Sequence, residues 1–265
     1  MRVKTALGEL FVDEVGEGPP VVLWHSFLWH GGMWRPQADA LQGRHRIVNI
    51  DAPGHGRSTP LEAPPTMAAC ADALVTVLDT LSIERAAVCG LSWGGMVAMH
   101  LALRNPARVR ALVLMDTSCR SETIVNRVRY AALSSIFRVV GAAPPLMKRI
   151  EPIFYADQTL REQRSMVDAW AQYVARMDRK SIVHALACID ARPDVTRALS
   201  AVRAPTLVVV GEQDRAQPVA QSRAIAKAIP GAELVVIPRA GHISSLEHPD
   251  AVNAAIGPFL ERHGG

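Results

Sequence analysis

The sequence predicts an α/β protein built on a mostly parallel sheet with helices on both faces. Short β-branched runs alternate with helical stretches over the first 116 residues, and the runs are apolar throughout, as strands buried on both faces require. The alternation returns near residue 206, after a long segment that lacks such runs. A chain of 265 residues with this pattern favours one large domain with an insertion over two independent domains.

Individual elements follow from local patterns. Buried strands are expected at residues 21–25, 46–51, 86–91, 109–116, 206–210 and 232–238. Residues 7–15 alternate like a half-exposed antiparallel strand at the sheet edge. Helices are expected at residues 66–81 with Thr66 as the N-cap, at 93–104, near 218–229 and from about 249. The pair Gly257-Pro258 should kink or split this last helix.

Residues 119–203 are interpreted as a helical cap inserted in a core formed by residues 1–118 and 204–265. This cap segment has proline breaks at residues 144–145 and 193 and amphipathic helical windows such as 161–177. It contains 14 basic and 8 acidic residues. Its arginines either form a solvated surface, or one or two of them face a pocket and hold a substrate carboxylate, with Arg127, Arg129 and Arg176 as candidates.

Composition excludes several classes of protein. The net charge is only +4 and the basic residues are scattered, so no nucleic-acid groove is indicated. Four widely spaced cysteines favour neither a disulfide framework nor a metal site. The first residues do not resemble a signal peptide, and no apolar run approaches the roughly 18 residues of a membrane span. We therefore expect a cytoplasmic protein without a nucleic-acid or membrane partner; whether it forms a homo-oligomer stays open.

A catalytic nucleophile is indicated by Gly90-Leu91-Ser92-Trp93-Gly94, which has the G-x-S-x-G pattern. The motif follows a buried strand and opens a helix, where a sharp turn holds the serine in a strained conformation and excludes bulky neighbours. The alternative is a glycine-rich turn with an idle serine. The flanking strand and helix favour Ser92 as a nucleophile.

A serine nucleophile needs a base that is oriented by a carboxylate. Asp214 follows the strand at 206–210, and His242 follows the strand at 232–238. Loops after parallel strands share one edge of a sheet, so both residues can meet Ser92 there. Asp116, at the end of the preceding strand, is the main rival to Asp214 as the acid.

Negative charge on the attacked carbonyl oxygen needs preorganised donors, each contributing about 3–4 kcal/mol. We expect these to be the backbone N–H groups of Trp93, at the start of a helix, and of Phe27, in the loop after the strand at 21–25.

Together, the His25 loop, the segment DAPGHGRS at 51–58, the Ser92 turn, Asp214 and His242 resemble the serine-dependent α/β-hydrolases over nearly the whole chain. The resemblance implies an eight-stranded, mostly parallel sheet. The segments around Ser26 and Met33-Trp34, and AGHISSLE at 240–247, are similar to the branch of 3-oxoadipate enol-lactonases and carboxylesterases.

The resulting functional expectation is hydrolysis of a small or medium carboxylic ester or lactone through an acyl-enzyme, without metal or organic cofactor. Cofactor-free perhydrolysis of the haloperoxidase type and a ligand receptor on the same fold are the alternatives. A serine at position 92 excludes the alkyl-ester chemistry of carboxylate nucleophiles. The expected apolar pocket comprises Trp24, His25, Leu28, Trp29, Trp170 and Tyr173, although the aromatic residues could equally pack cap against core.

Overall fold

The computed structural model describes residues 1–264, which form an α/β structure around an eight-stranded sheet. The strands are β1 (Arg2–Thr5), β2 (Gly8–Val15), β3 (Pro20–Trp24), β4 (Arg46–Ile50), β5 (Ala86–Leu91), β6 (Val109–Met115), β7 (Thr206–Gly211) and β8 (Glu233–Ile237). They lie in the order β1-β2-β4-β3-β5-β6-β7-β8. The pairs β1–β2 and β2–β4 are antiparallel and the remaining pairs are parallel. The predicted fold class is confirmed.

The core is centred on the middle of the sheet. Every residue of β5 and of β7 is buried, which requires that both faces of these strands are covered. The expected strands all form, and no strand end is shifted by more than one residue. The expectation of an edge strand at 7–15 is wrong in one respect, because β1, which the pattern did not reveal, pairs outside β2.

Eleven α-helices occur within residues 1–264. They are α1 (Arg35–Leu41), α2 (Met67–Thr80), α3 (Trp93–Arg104), α4 (Ile124–Val140), α5 (Pro144–Phe154), α6 (Asp157–Glu162), α7 (Arg164–Arg176), α8 (Arg179–Asp190), α9 (Val219–Ala228), α10 (Ser244–Glu247) and α11 (Pro249–His263). Thr66 caps α2, since its side chain accepts a hydrogen bond from the Ala69 amide. The last helix is not split, because α11 continues through Pro258. None of the helices in the described part of the chain could cross a bilayer.

The segment between β6 and β7 contains helices α4 to α8, and side chains of α7 bind it to the loop that follows β3. The Trp170 indole donates a hydrogen bond to the carbonyl of Leu28 at 3.0 Å. The Tyr173 hydroxyl donates to the carbonyl of Trp29 at 3.1 Å and accepts from the amide of Gly56 at 2.9 Å. The aromatic side chains of α7 therefore dock the cap segment onto the core.

Replacement of Tyr173 by Phe should lower the free energy of unfolding by about 1–3 kcal/mol, because the Gly56 amide loses its acceptor and the Trp29 carbonyl its donor. Tyr155→Phe is the matched control. The Tyr155 side chain is also buried, but its hydroxyl has no hydrogen-bond partner among residues 1–264, so its loss should be neutral or stabilising. Urea denaturation of both variants tests this, and equal effects would contradict it.

Candidate active site

Ser92 lies at a sharp turn between β5 and α3, as its sequence motif predicts. Its backbone has φ of 56° and ψ of −111°, a conformation that strains a residue with a side chain. The turn is fixed on the sheet, because the Ser92 amide donates to the carbonyl of Met115 at 2.8 Å and the Thr117 hydroxyl donates to the carbonyl of Ser92 at 2.7 Å. This geometry holds the Ser92 side chain beyond the end of β5.

The turn closes only because Gly90 and Gly94 have no side chains. A Cβ atom at Gly94 would lie 2.1 Å from the carbonyl oxygen of Trp24. A Cβ at Gly90 would lie 2.3 Å from the backbone of Gly94. Both distances are far below van der Waals contact, so the two glycines allow β3, β5 and α3 to approach one another.

The structure brings Ser92, His242 and Asp214 into one hydrogen-bonded chain. The Oγ of Ser92 lies 2.9 Å from Nε2 of His242, and Nδ1 of His242 lies 2.9 Å from Oδ2 of Asp214. All three side chains are buried. With a proton on Nδ1 donated to the carboxylate, Nε2 is free to accept the serine proton, which is the arrangement that a base-assisted nucleophile needs.

The Asp214 carboxylate is itself oriented by backbone donors. Its Oδ1 accepts hydrogen bonds from the amides of Ala216 at 2.9 Å and Gln217 at 2.8 Å. These bonds leave Oδ2 to face the imidazole. His242 is also held by Phe154. The His242 amide donates a hydrogen bond to the carbonyl of Phe154 at 2.9 Å, and the Phe154 ring lies edge-on to the imidazole. The end of α5 therefore helps to position the base.

Asp116, the rival acid, has different partners. Its Oδ1 accepts a hydrogen bond from the amide of Gly211 at 2.8 Å, and its Oδ2 accepts one from the hydroxyl of Ser244. Burial raises the pKa of this carboxyl well above its usual range, and the charge of Asp214 raises it further. The structure thus places Asp214, and not Asp116, against His242.

The sequence analysis expects the backbone amides of Trp93 and Phe27 to act as oxyanion donors, and that expectation stays a prediction. Trp93 is the first residue of α3, so its N–H has no acceptor within the helix. Phe27 borders the same cavity as Ser92, in a loop where Leu28 has a φ of 60°. Neither amide has a hydrogen-bond acceptor among residues 1–264. Their side chains differ in role: the Trp93 ring is fully buried against Trp24, whereas Phe27 is a cavity wall.

A cavity of about 370 Å³ is lined in part by Ser92 and His242. Most of its walls are aliphatic and aromatic, as in many small-molecule sites. The apolar lining residues are Phe27, Leu28, Met96, Leu133, Ile150, Ile153, Phe154, Leu186, Ile189 and Ala216. The polar ones other than Ser92 and His242 are Asn126, Arg129, Tyr130, Arg215 and Gln217.

Of the six predicted pocket residues, only Leu28 borders this cavity within the described residues. Trp24, in β3, packs edge-on against Trp93, and Trp29 is buried in the core, so neither lines this cavity. Trp170 and Tyr173 instead dock the cap segment, the alternative that the sequence left open.

His25 is likewise a structural residue. Its Nε2 accepts a hydrogen bond from the Ala52 amide at 2.8 Å, and its Nδ1 donates to the carbonyl of Ser26 at 2.7 Å. Burial lowers the pKa of His25 to about 3, so the ring stays neutral at physiological pH. It braces the loop that carries Phe27 and leaves no ring nitrogen for a substrate.

Sequence reasoning missed most of the cavity lining, which α4, α5 and α8 supply. Of the three candidate cap arginines, only Arg129 lines the cavity. Arg127 lies 3.8 Å from Asp190, and Arg176 is exposed at the end of α7. The helical spacing of Asn126, Arg129 and Leu133 on one face of α4 could have indicated this wall, but the sequence does not show which face is turned inwards.

A buried carboxylate that the sequence analysis did not single out joins the His242 loop to the cap segment. Glu247 Oε1 accepts hydrogen bonds from the amides of Gly241 and Ile243, and Oε2 accepts from the Ala156 amide and the Thr159 hydroxyl. Burial raises the pKa of Glu247, although these donors oppose the rise.

Among residues 1–264 there is no cluster of side chains that could hold a metal ion, and the four cysteines are buried and free.

Comparisons with known proteins identify the fold of this chain. Residues 19–249 match the family model described as the alpha/beta hydrolase fold. A 3-oxoadipate enol-lactonase of Acinetobacter baylyi is 26% identical over 88% of this chain and 85% of its own length. A malate-bound thermophilic esterase from Thermogutta terrifontis has a TM-score of 0.93 and 29% identity, covering 99% of this chain and 98% of its own. The enol-lactonase from Burkholderia xenovorans has a TM-score of 0.92 and 28% identity, covering 98% of this chain and 100% of its own.

Replacement of Gly94 by Ala should lower the free energy of unfolding by about 3 kcal/mol or more and disrupt the turn, because the new methyl group meets the Trp24 backbone. Gly257→Ala in α11 is the matched control, since a Cβ there meets no atom within 4 Å. That variant should be neutral or more stable by about 0.5–1 kcal/mol. Thermal and urea unfolding distinguish the two, and a well-folded, fully stable Gly94→Ala protein would contradict the close approach.

Proposed function

We propose that this chain, which belongs to the alpha/beta hydrolase fold family, hydrolyses small or medium carboxylic esters or lactones through an acyl-enzyme on Ser92. The observation that carries the proposal is the hydrogen-bonded chain from Ser92 through His242 to Asp214, which opens into an apolar cavity. The names of its relatives, an esterase and two enol-lactonases, support an ester or lactone bond as the target.

Acylation begins when the Ser92 oxygen attacks the substrate carbonyl carbon while its proton passes to Nε2 of His242. Asp214 accepts the hydrogen bond from Nδ1 and stabilises the imidazolium that forms. The negative charge on the former carbonyl oxygen is stabilised by the amides of Phe27 and Trp93, each worth about 3–4 kcal/mol. Collapse of this intermediate breaks the bond to the alkoxy oxygen, which takes the proton from His242 and leaves as an alcohol.

Deacylation repeats these steps with water as the nucleophile. His242 takes a proton from the water as its oxygen attacks the acyl carbon, and then returns the proton to the Ser92 oxygen as the acid is released. For a lactone, the alcohol formed in the first step stays attached to the acyl group. No step requires a group beyond these residues and water.

The chemistry is tested by Ser92→Ala and Asp214→Asn, measured with p-nitrophenyl acetate and butyrate. Loss of the nucleophile should lower kcat by at least about a thousandfold, and Asp214→Asn by about 10⁴-fold, because the wrong imidazole tautomer is then favoured. Asp116→Asn is the matched control, since this carboxyl does not contact His242. It should keep kcat within about tenfold of the unmodified protein.

Mass spectrometry completes this test by detecting an acyl group on Ser92 after rapid quenching. Activity that survives in Ser92→Ala, or a larger loss in Asp116→Asn than in Asp214→Asn, would overturn the assignment. Ligand-induced stabilisation without turnover would favour a receptor on this fold, and preferential transfer of the acyl group to peroxide would favour a perhydrolase.

Arg129 provides a specific test of substrate charge. It is exposed at the cavity and has no carboxylate partner among residues 1–264, so it could bind a carboxylate on the distal part of a substrate. Arg129→Gln should raise KM about five- to tenfold for an ester with a distal carboxylate, and leave KM for its neutral isostere unchanged. Arg176→Gln, which changes an exposed arginine away from the cavity, should change neither value. Equal effects on both substrates would contradict a charge contact.

A further inference from the structure

Helix α4 exposes an apolar face to solvent. Four of its side chains form what we call the outer stripe, with exposed fractions of 60% for Val125, 65% for Val128, 43% for Ile136 and 77% for Val139. Their spacing places them on one side of the helix, along much of its length. The exposed face of a surface helix normally carries polar side chains. The outer stripe carries apolar ones instead.

The opposite face of α4 is also occupied by apolar groups. Tyr130 and Leu133 border the cavity, and Phe137 is fully buried. The helix is therefore apolar on two sides, and among residues 1–264 only the inner side is covered, mainly by α8. A helix of this composition is stable on a protein surface when something else covers its outer side.

The charge of α4 restricts what that cover can be. The helix contains Arg127, Arg129 and Arg138 and no acidic residue. Arg138 is exposed, and no carboxylate within residues 1–264 forms an ion pair with it. Arg127 lies 3.8 Å from Asp190, and Arg129 lines the cavity. Arg138 is therefore the surface cation of α4 outside the cavity without an acidic partner among residues 1–264, and a second copy placed with its outer stripe on the first would only add positive charge beside it. The complementary partner is anionic.

The side chains of the outer stripe also bear on the nature of the partner. They are all β-branched aliphatic groups, whereas the energetic anchors of protein interfaces are mainly Trp, Tyr and Arg in fitted pockets. Partition into lipid requires only apolar area and flanking cations. Ile153 gives a further reason, since it is 42% exposed and also borders the cavity, so apolar surface continues from the outside of the cap segment towards Ser92.

We propose that the outer stripe of α4 binds an anionic lipid surface, with Arg138 at the level of the headgroups and the cavity opening beside the membrane. An apolar ester could then pass from the lipid to the cavity without crossing bulk water. The sequence analysis expected no membrane partner. The proposal revises that expectation only for peripheral binding, which needs no membrane-spanning helix. The binding does not depend on the chemistry at Ser92.

The test is co-sedimentation of the full chain with vesicles of phosphatidylcholine alone or with about one-third phosphatidylglycerol. Binding is expected to the mixed vesicles, with little to phosphatidylcholine alone, and should weaken severalfold at about 0.5 M salt. The double variant Val128→Ser/Val139→Ser should reduce the partition coefficient by roughly tenfold or more, because it removes two of the exposed apolar groups. Arg138→Gln should reduce it severalfold.

Matched controls distinguish binding through the outer stripe from nonspecific adsorption of the protein to vesicles. Val15→Ser/Val236→Ser changes two exposed valines on β2 and β8, and Arg223→Gln removes an exposed charge on α9. Neither control should alter binding, and Ser92→Ala should bind as well as the unmodified chain. Thermal unfolding and turnover of a soluble acetate ester should be unchanged in the Val128→Ser/Val139→Ser variant.

Three results would overturn the proposal. The first is absence of binding to the mixed vesicles. The second is equal loss of binding in the α4 variants and their controls. The third is self-association in sedimentation equilibrium that Val128→Ser/Val139→Ser abolishes, since the outer stripe would then be covered by a second copy. Each result leaves the proposed hydrolysis untouched, because that is tested separately with soluble esters.

Discussion

The site depends on the parallel register of β5 to β8. Leu91 pairs with Met115, Met115 with Val209, and Gly211 with Ile237, so these strands end close to one edge of the sheet. Ladder-like bonds continue just past the strand ends, from the Ser92 amide to Met115, from Asp116 to Val209 and from Glu212 to Ile237. The loops therefore leave the sheet in fixed directions, which lets residues separated by 150 positions come within hydrogen-bond distance.

Two buried carboxylates secure those loops without entering the hydrogen-bonded chain. Asp116 holds the start of the Asp214 loop through the Gly211 amide. Glu247 holds the His242 loop through the Gly241 and Ile243 amides, and with its other oxygen it binds the cap segment. Burial raises the pKa of both carboxyls, so their desolvation is only partly offset by the donors. Such groups contribute chiefly to a unique arrangement of the loops.

The parts of this structure that the sequence predicted are those set by local pattern. Buried strands appear as short apolar runs, and the strained Ser92 turn appears as two glycines at fixed spacing around a serine. The walls of the cavity are different, because they depend on which face of each cap helix is turned inwards. Trp170 and Tyr173 were expected there, yet their polar atoms bond to backbone groups of the core, and other residues, mostly aliphatic, line the cavity instead.

The helices of the cap segment differ in how they are attached to the core, and the difference affects access to the cavity. Helix α7 is bonded to the loop that carries Phe27, and the end of α5 is bonded through Phe154 to His242. Helix α4 packs mainly on α8, another helix of the cap segment. A displacement of α4 would therefore open the cavity while leaving the Ser92–His242 and Trp170–Leu28 hydrogen bonds in place. Helix α4, which is apolar on both sides, can thus move without breaking the bonds that α5 and α7 form with the loops of the candidate catalytic groups.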